Sequence, residues 1–476
     1  MATSAPTYEH YLVIGGCGFL GRHIVEQLLA RGENSVSVFD LVQRHFDDAV
    51  TFYTGDITFP EDIGNAIQKS GATVIIHTAS PIHGQAAALY EKVNVQGTRT
   101  VIQSCLTHGV RKLVYTSSAG VVYNGSENLV DVDERMEVPD AALDAYNKTK
   151  ADAERLVLLA NGVPLENNTG GNLLTCALRP AGIFGPYDRQ QLAGFKSVIT
   201  NGQTRFQIGS NDNLFDWTYV GNVAHAHLLA ADKLGTVVTP DEFTYPLPDV
   251  CLSTGDYRVP TSRAKPLGPS TAAASGAGLL EEASEEEQAA AKEFKRSKNL
   301  KDEQEADLRP VLRTKMDQFS SVVGEEDPSN TETSKDCQVA GQAFFITNCE
   351  PMYFWDFARQ VWKSMGHVSP STITLPASVG IVLATLAEVW SKISGKEAGF
   401  TRFRVKFATQ KRYYNAERAR RLLGYEPVVG VEEGLKKTME VGFPLAINGG
   451  CVLTFCLSHQ WYNAEEARKV EAAKGN

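Results

Sequence analysis

The chain has 476 residues, 43% of them hydrophobic and 21% charged, enough to bury a large core in one large domain with a smaller lobe or in two domains. A formal net charge of −10, with no stripe of Lys and Arg interleaved with aromatics, argues against a nucleic-acid partner. Eight cysteines without a CxxC pair, Cys17 lying inside a glycine run, argue for reduced thiols instead of a disulfide framework.

The first residues are polar, with no basic region ahead of an apolar core, so no secretory signal is expected. Tyr11 to Ile14 is a short apolar run of the kind that forms a buried parallel strand. Behind it comes Gly15-Gly16-Cys17-Gly18-Phe19-Leu20-Gly21, then a helical pattern from Arg22 to Ala30. A GxxGxxG spacing alone also fits an ordinary glycine turn, but the strand before it and the helix after it supply a dinucleotide-binding context. There Gly15, Gly18 and Gly21 give a tight turn, close approach of backbone to pyrophosphate and close helix packing. The free N–H groups of the helix start, Phe19 and Leu20 among them, point at phosphate. The next strand, Ser35 to Phe39, ends at Asp40, nineteen positions past Gly21. Its carboxylate would accept hydrogen bonds from the adenosine ribose and repel a ribose phosphate, which selects NAD over NADP. Arg44 is the residue able to reverse that choice, because a guanidinium accommodates phosphate.

Val50 to Tyr53 reads as a strand leading into Gly55-Asp56-Ile57, and Thr73 to Thr78 as another leading into Ala79-Ser80-Pro81. In open α/β sheets the ligand crevice lies at the carboxyl ends of the strands, so Asp56 and Ile57 are expected at the adenine and Ala79 on the path to the nicotinamide. Asp56 also fits a helix N-cap. Asn94 to Thr98 opens a helix, and Lys112 to Thr116 is a strand ending in Ser117-Ser118. Ser118 is positioned to hold a substrate oxygen, with Ser117 as the fallback and a serine cap as the structural alternative. Tyr146 and Lys150, in the segment YNKTK, stand at i and i+4 on one helical face, where the ammonium can stabilise a phenolate. With a nicotinamide nearby, that cation is expected to lower the phenol from its ordinary pKa of about 10 and make it a base.

Of three N-x-S/T sequons, at Asn124, Asn147 and Asn167, the second lies in this helix, where a glycan would block the site; the enzymatic part is therefore expected to face the cytosol. No metal is expected. His225 and His227 point to different faces of a helix, while His77 and His83 flank the crevice without a ligand partner and stay unassigned. From Asp249 to Lys335 low hydrophobicity and dense charge indicate a mostly disordered insertion, with one solvated helix near Glu281 to Lys298. Leu375 to Ile393 is apolar apart from Pro376, Ser378, Glu388, Ser391 and Lys392. An interfacial helix tolerates Glu388 better than a spanning one does, so the segment reads as a membrane-surface contact, with a core or lid helix as the alternative. Gly450 to Leu457 is too short to span, and Asn463 to Lys474 reads as a polar terminal helix.

The glycine run, Asp40, Gly55-Asp56-Ile57, Tyr115-Thr116-Ser117-Ser118, YNKTK, Leu178-Arg179-Pro180 with Gly185-Pro186, and Trp217 to Val223 together resemble the extended short-chain dehydrogenases. Within them the chain is most similar to the 3β-hydroxysteroid dehydrogenase branch, and to its decarboxylating sterol-4α-carboxylate 3-dehydrogenases. Gly341 to Asn348, Glu350-Pro351 and Phe354-Trp355 are the main reason. The resemblance implies an α/β fold: a Rossmann-type doubly wound parallel sheet over 8–235, some of whose segments contribute to the substrate lobe, and a smaller C-terminal substrate lobe over 340–443; the insertion at 249–335 departs from the family pattern, and an extension follows at 444–476. It implies Tyr146 as catalytic base, Lys150 as its partner, Ser118 as the polarising hydroxyl and NAD as cofactor. The substrate would be a sterol or triterpenoid whose 3β-hydroxyl is oxidised with loss of a neighbouring carboxyl group. Arg189 is a candidate carboxylate anchor beside its reading as a surface arginine. The expected place is the cytosolic face of the endoplasmic reticulum or a lipid droplet, as a homodimer or within a sterol demethylation complex. A steroid or triterpenoid dehydrogenase of secondary metabolism, a nucleotide-sugar epimerase and a non-catalytic dinucleotide sensor are the alternatives.

Overall fold

Short runs, too short for helices and mostly rich in Val, Ile and Leu, become strands buried on both faces except at the edge strand Val50–Thr54, which is partly exposed. These are β1 (Tyr11–Ile14), β2 (Val36–Asp40), β3 (Val50–Thr54), β4 (Val74–His77), β5 (Lys112–Thr116) and β7 (Leu174–Pro180). Every residue of β1 and β4 is buried. The structure, a computed structural model, describes residues 5–44, 47–166, 170–238, 337–394 and 400–441. The expected insertion at 249–335 with its helix, the extension at 444–476 and the sequon at Asn167 lie outside the described residues.

Strand β10 (Ala343–Ile346) completes a seven-stranded sheet in the order β10-β7-β5-β4-β1-β2-β3, every neighbouring pair parallel. Helix α1 (Phe19–Arg31) and α6 (Val220–Lys233) pack together on one face; α2 (Pro60–Ser70), α3 (Thr98–His108) and α4 (Ala145–Leu159) cover the other. Two apolar cores result, one around Val13, Val38, Ile76 and Val114 and one around Leu12, Ile14, Ile75 and Leu113. Each fully buried side chain of this size contributes about 1.5–3 kcal/mol.

One expected boundary needs correcting. The 340–443 segment does not form the smaller lobe by itself, because Ala343–Ile346 is the edge strand of the large sheet, in register with Ala177 to Pro180. Segments of 8–235 do enter the lobe, as expected. Its four-stranded sheet joins β11 (Met352–Tyr353), β9 (Leu214–Phe215), β13 (Arg412–Tyr414) and β6 (Leu129–Val132), strands from both halves of the chain. Around it lie α5 (Gln191–Thr200), α7 (Phe354–Ser364), α8 (Ala377–Ser394) and α9 (Arg402–Thr409). Trp217 stacks flat on Phe357, ring centroids 4.0 Å apart, and Phe195 and Phe354 close against them.

Candidate active site

Between β1 and α1 the backbone at Gly15 takes φ +81°, a conformation that L side chains rarely adopt, and a Cβ there would lie 2.8 Å from the Ala79 amide nitrogen. A Cβ on Gly21 would stand 2.2 Å from the Gly15 carbonyl oxygen, so the helix start can lie against the turn only while that side chain is absent. Helix α1 begins at Phe19 with no side chain capping its N-terminus. Its first-turn amides, at Phe19, Leu20 and Gly21, are thus a cradle for an anion. Asp40, at the end of β2, accepts from the Cys17 amide (3.0 Å) and from the Leu41 amide (2.8 Å), tying the glycine loop to the next strand. Burial holds its carboxyl above the usual carboxylate range, with the Cys17 and Leu41 amides and the Arg44 charge opposing. Loop and acid together fit a dinucleotide.

Asp56 does not cap α2, which starts at Pro60 behind Phe59; its side chain instead accepts from the Thr58 amide at 2.9 Å and lies 3.7 Å from the Lys92 ammonium. Ile57 is buried, and a Cβ on Gly97 would lie 2.6 Å from its Cδ1, so the side chain belongs to the core. Ala79, as its closeness to Gly15 requires, sits where β4 ends beside the glycine loop.

Ser118, just past β5, accepts a hydrogen bond from the Gly120 amide (3.1 Å), and its hydroxyl acts on the phenol of Tyr146, holding that group's proton affinity down. The serine is thus both a local cap and the phenol's partner. Ser117 is buried with its hydroxyl unpartnered, its amide donating to the Leu178 carbonyl. Asp144 begins α4 by accepting from the amide of Asn147 (2.8 Å) and from its side-chain nitrogen (3.0 Å), which fixes the turn that presents Tyr146. Asn147 is itself buried.

In the protein alone, burial dominates the electrostatics of the pair. Burial pushes the Tyr146 phenol up to about 12; the Ser118 hydroxyl offsets this in part, and Asp144 and Tyr90 add to it. Lys150 is sunk deeper, donating to the Thr116 carbonyl, with its nitrogen 4.5 Å from the centre of the Tyr115 ring. Burial lowers its ammonium to about 7, opposed by Glu154. Spacing at i and i+4 put both stems on one face, but the longer lysine reaches past the phenol to the end of β5.

The Thr116 hydroxyl pairs with Nε2 of His227 at 2.7 Å, and Nδ1 of that ring donates to the Val223 carbonyl at 2.7 Å. Because a carbonyl only accepts, the proton sits on Nδ1 and His227 serves the fold. Among the described residues no cluster of His, Cys, Asp and Glu is arranged to hold a metal. His83, placed beside the crevice by the sequence but given no role there, packs on the Tyr146 ring with centroids 4.1 Å apart, and Tyr90, unread in the sequence, meets the same ring edge-on at 5.7 Å. Helical phase from Tyr90 into Asn94 is the one signal that could have placed Tyr90 on that face. Arg189 is exposed beside Tyr187, whose ring is covered by Arg22 of α1 at 3.7 Å.

The profile of the 3-beta hydroxysteroid dehydrogenase/isomerase family matches residues 12–242 and 329–377. The decarboxylating sterol-4-alpha-carboxylate 3-dehydrogenase of Saccharomyces cerevisiae is 38% identical over 441 residues, 90% of this chain and 97% of that protein. Its Homo sapiens namesake is 30% identical over 436 residues, 90% of this chain and 87% of the relative. Among solved structures, the Thermus thermophilus UDP-glucose 4-epimerase complex with NAD aligns with a TM-score of 0.53 at 17% identity, over 91% of this chain and 98% of that one. A dTDP-glucose 4,6-dehydratase from Bacillus anthracis aligns with a TM-score of 0.52 at 14% identity, over 91% and 96%. These two likenesses establish the fold.

Proposed function

The chain belongs to the 3-beta hydroxysteroid dehydrogenase/isomerase family, and from that premise we propose that it oxidises the 3β-hydroxyl of a 4α-carboxysterol to the ketone, with loss of the neighbouring carboxyl as carbon dioxide. NAD is its cofactor, held by the amides of Phe19, Leu20 and Gly21 and by Asp40; when bound it supplies the hydride acceptor. Tyr146 takes the hydroxyl proton, Ser118 holds the substrate oxygen against the phenol, and Lys150, anchored on the Thr116 carbonyl behind the phenol, would have to leave that carbonyl to meet the phenolate and the nicotinamide ribose. Oxidation leaves a ketone next to the carbon that carries the carboxylate. The bond to that carboxyl then breaks, its electron pair passes to the carbonyl oxygen as an enolate, and neutral carbon dioxide departs. No further acid or base is needed for that step.

The observation that carries this reading is the convergence of Ser118, at the end of β5, with the Tyr146 phenol of α4 in a chain that also holds an uncapped, glycine-bounded helix N-terminus and aligns nearly end to end with decarboxylating sterol dehydrogenases. The epimerase likeness is one of fold at 17% identity and gives no support for a sugar-nucleotide substrate. Incubating the purified protein with NAD and a 4α-carboxysterol or its 4-methyl counterpart, while following NADH and carbon dioxide together, tests it. Carbon dioxide in step with NADH from the acid is the expected result; NADH without carbon dioxide moves the chain to a plain hydroxysteroid dehydrogenase of secondary metabolism. A sterol dissolves in lipid and not in water, so the enzyme meets a membrane surface or lipid droplet on its cytosolic face. The exposed apolar side of α8 supports this placement.

A further inference from the structure

The loop after β4 folds back beside Tyr146 as a small flap. Tyr90 donates from its hydroxyl to the Ile82 carbonyl (2.7 Å) and accepts from the Gln85 amide (3.2 Å), which closes the turn carrying Ile82, His83 and Gly84. Gly84 adopts φ +89°, so the turn needs a glycine there. The flap brings the His83 imidazole against the phenol at 4.1 Å, with 48° between the ring planes, and leaves His83 and Ile82 exposed. Neither nitrogen of that imidazole has a hydrogen-bond partner among the described residues.

We propose that His83 recognises the acid group of the substrate, its ring N–H donating to the carboxylate on the carbon next to the reacting hydroxyl; this rests on the sterol-acid reading above. Once the hydroxyl lies within hydrogen-bond reach of Tyr146, a carboxylate on the adjacent carbon stands about one side chain away, and the His83 imidazole, its centroid 4.1 Å from that of the phenol ring, is a donor within that span. The charged groups near the phenol are engaged elsewhere. Asp144 caps α4 through Asn147, and Lys150 is bound to the Thr116 carbonyl. Arg189 is exposed. An imidazole also suits the chemistry that follows. A fixed cation on the carboxylate would stabilise the charge that departing carbon dioxide must give up, whereas a single N–H holds the acid without anchoring its charge.

The test compares wild type with His83→Phe, which keeps a ring on Tyr146 but removes the N–H, and with His83→Gln, which keeps a donor. A 4α-carboxysterol and the matching 3β-hydroxysterol without the carboxyl are read as substrates and as competing inhibitors. His83→Phe should lower the acid-over-neutral ratio of kcat/KM by about 10- to 100-fold, the range for a hydrogen bond to a charged group, and His83→Gln should recover most of it. A ratio unmoved by His83→Phe, whether both substrates fall together or neither falls, overturns the proposal. Failure of the underlying reading shows differently: the wild-type enzyme would then take the neutral sterol and ignore the acid.

Discussion

Asp40 carries two duties with one carboxylate. It accepts from the Cys17 amide and, in the proposed cofactor site, would also meet the ribose hydroxyls, so removing it should loosen the glycine loop and weaken cofactor discrimination together. Asp40→Ala should cut the preference for NAD over NADP by about 10- to 100-fold, as loss of hydrogen bonds to a charged acceptor would, and raise the KM for NAD. Steady-state kinetics with both cofactors checks this, and a wild-type preference for NADP would overturn the assignment. At Tyr146, whose phenol burial pushes up to about 12, the phenolate fraction grows as pH rises. Oxidation should therefore accelerate from pH 6 to pH 9, and a flat NADH-formation profile would remove the phenol as base. Tyr146→Phe should lower turnover by about 10²- to 10⁴-fold, the usual share of general acid–base catalysis, while NAD affinity by calorimetry stays close to wild type.

At the scale of an element, α8 is two-faced. Val379, Val382, Leu383, Leu386, Val389, Trp390 and Ile393 fall on one stripe and are all exposed, Trp390 at 67% and Ile393 at 73%. The opposite side buries Ala384 and brings Gly380 against Ile208 and Val405. Glu388, which counted against a membrane span in the sequence, points away from the stripe and pairs with Arg402 of α9 at 2.8 Å. Among the described residues no helix is long and apolar enough to cross a membrane, which leaves the stripe suited to lying on one. Leu386→Asp with Trp390→Asp should lower binding to phosphatidylcholine vesicles more than tenfold, since each large side chain withdrawn from lipid is worth about 1.5–3 kcal/mol. Co-sedimentation measures it, and unchanged binding would leave the stripe without a role in lipid contact.

The whole molecule carries a pH liability in its core. Burial lowers His77 to about 3 and His227 to about 4, the Val223 carbonyl opposing the shift at His227 and Lys150 adding to both. A histidine depressed in the fold is charged more readily in the unfolded chain, whose value is about 6.5, so its contribution is complete above that pH and is lost as pH falls towards the folded value. At pH 5 each should have cost on the order of 2 kcal/mol relative to pH 7. Thermal unfolding should show Tm dropping from pH 7 to pH 5, and His227→Gln should flatten that drop. An equal slope in the variant would place the acid sensitivity elsewhere.

What the sequence determined by itself is local chemistry. Four-residue apolar runs such as Tyr11–Ile14 specify strands because period and length are properties of neighbours along the chain, and the strand ends agreed with expectation to within a residue. The glycine loop was legible because Gly15 and Gly21 meet constraints that act over a few residues. The shared helical face of Tyr146 and Lys150 was legible for the same reason. Tertiary structure alone decided that Ala343–Ile346 leaves the lobe for the large sheet, because the choice of partner for an apolar strand depends on which edge is open. Folding also decided that Lys150 turns to Thr116 and that His83 comes to lie on Tyr146. Those residues are distant in sequence, and depth of burial, which sets the proton affinities of Tyr146 and Lys150, exists only once the chain has closed around them.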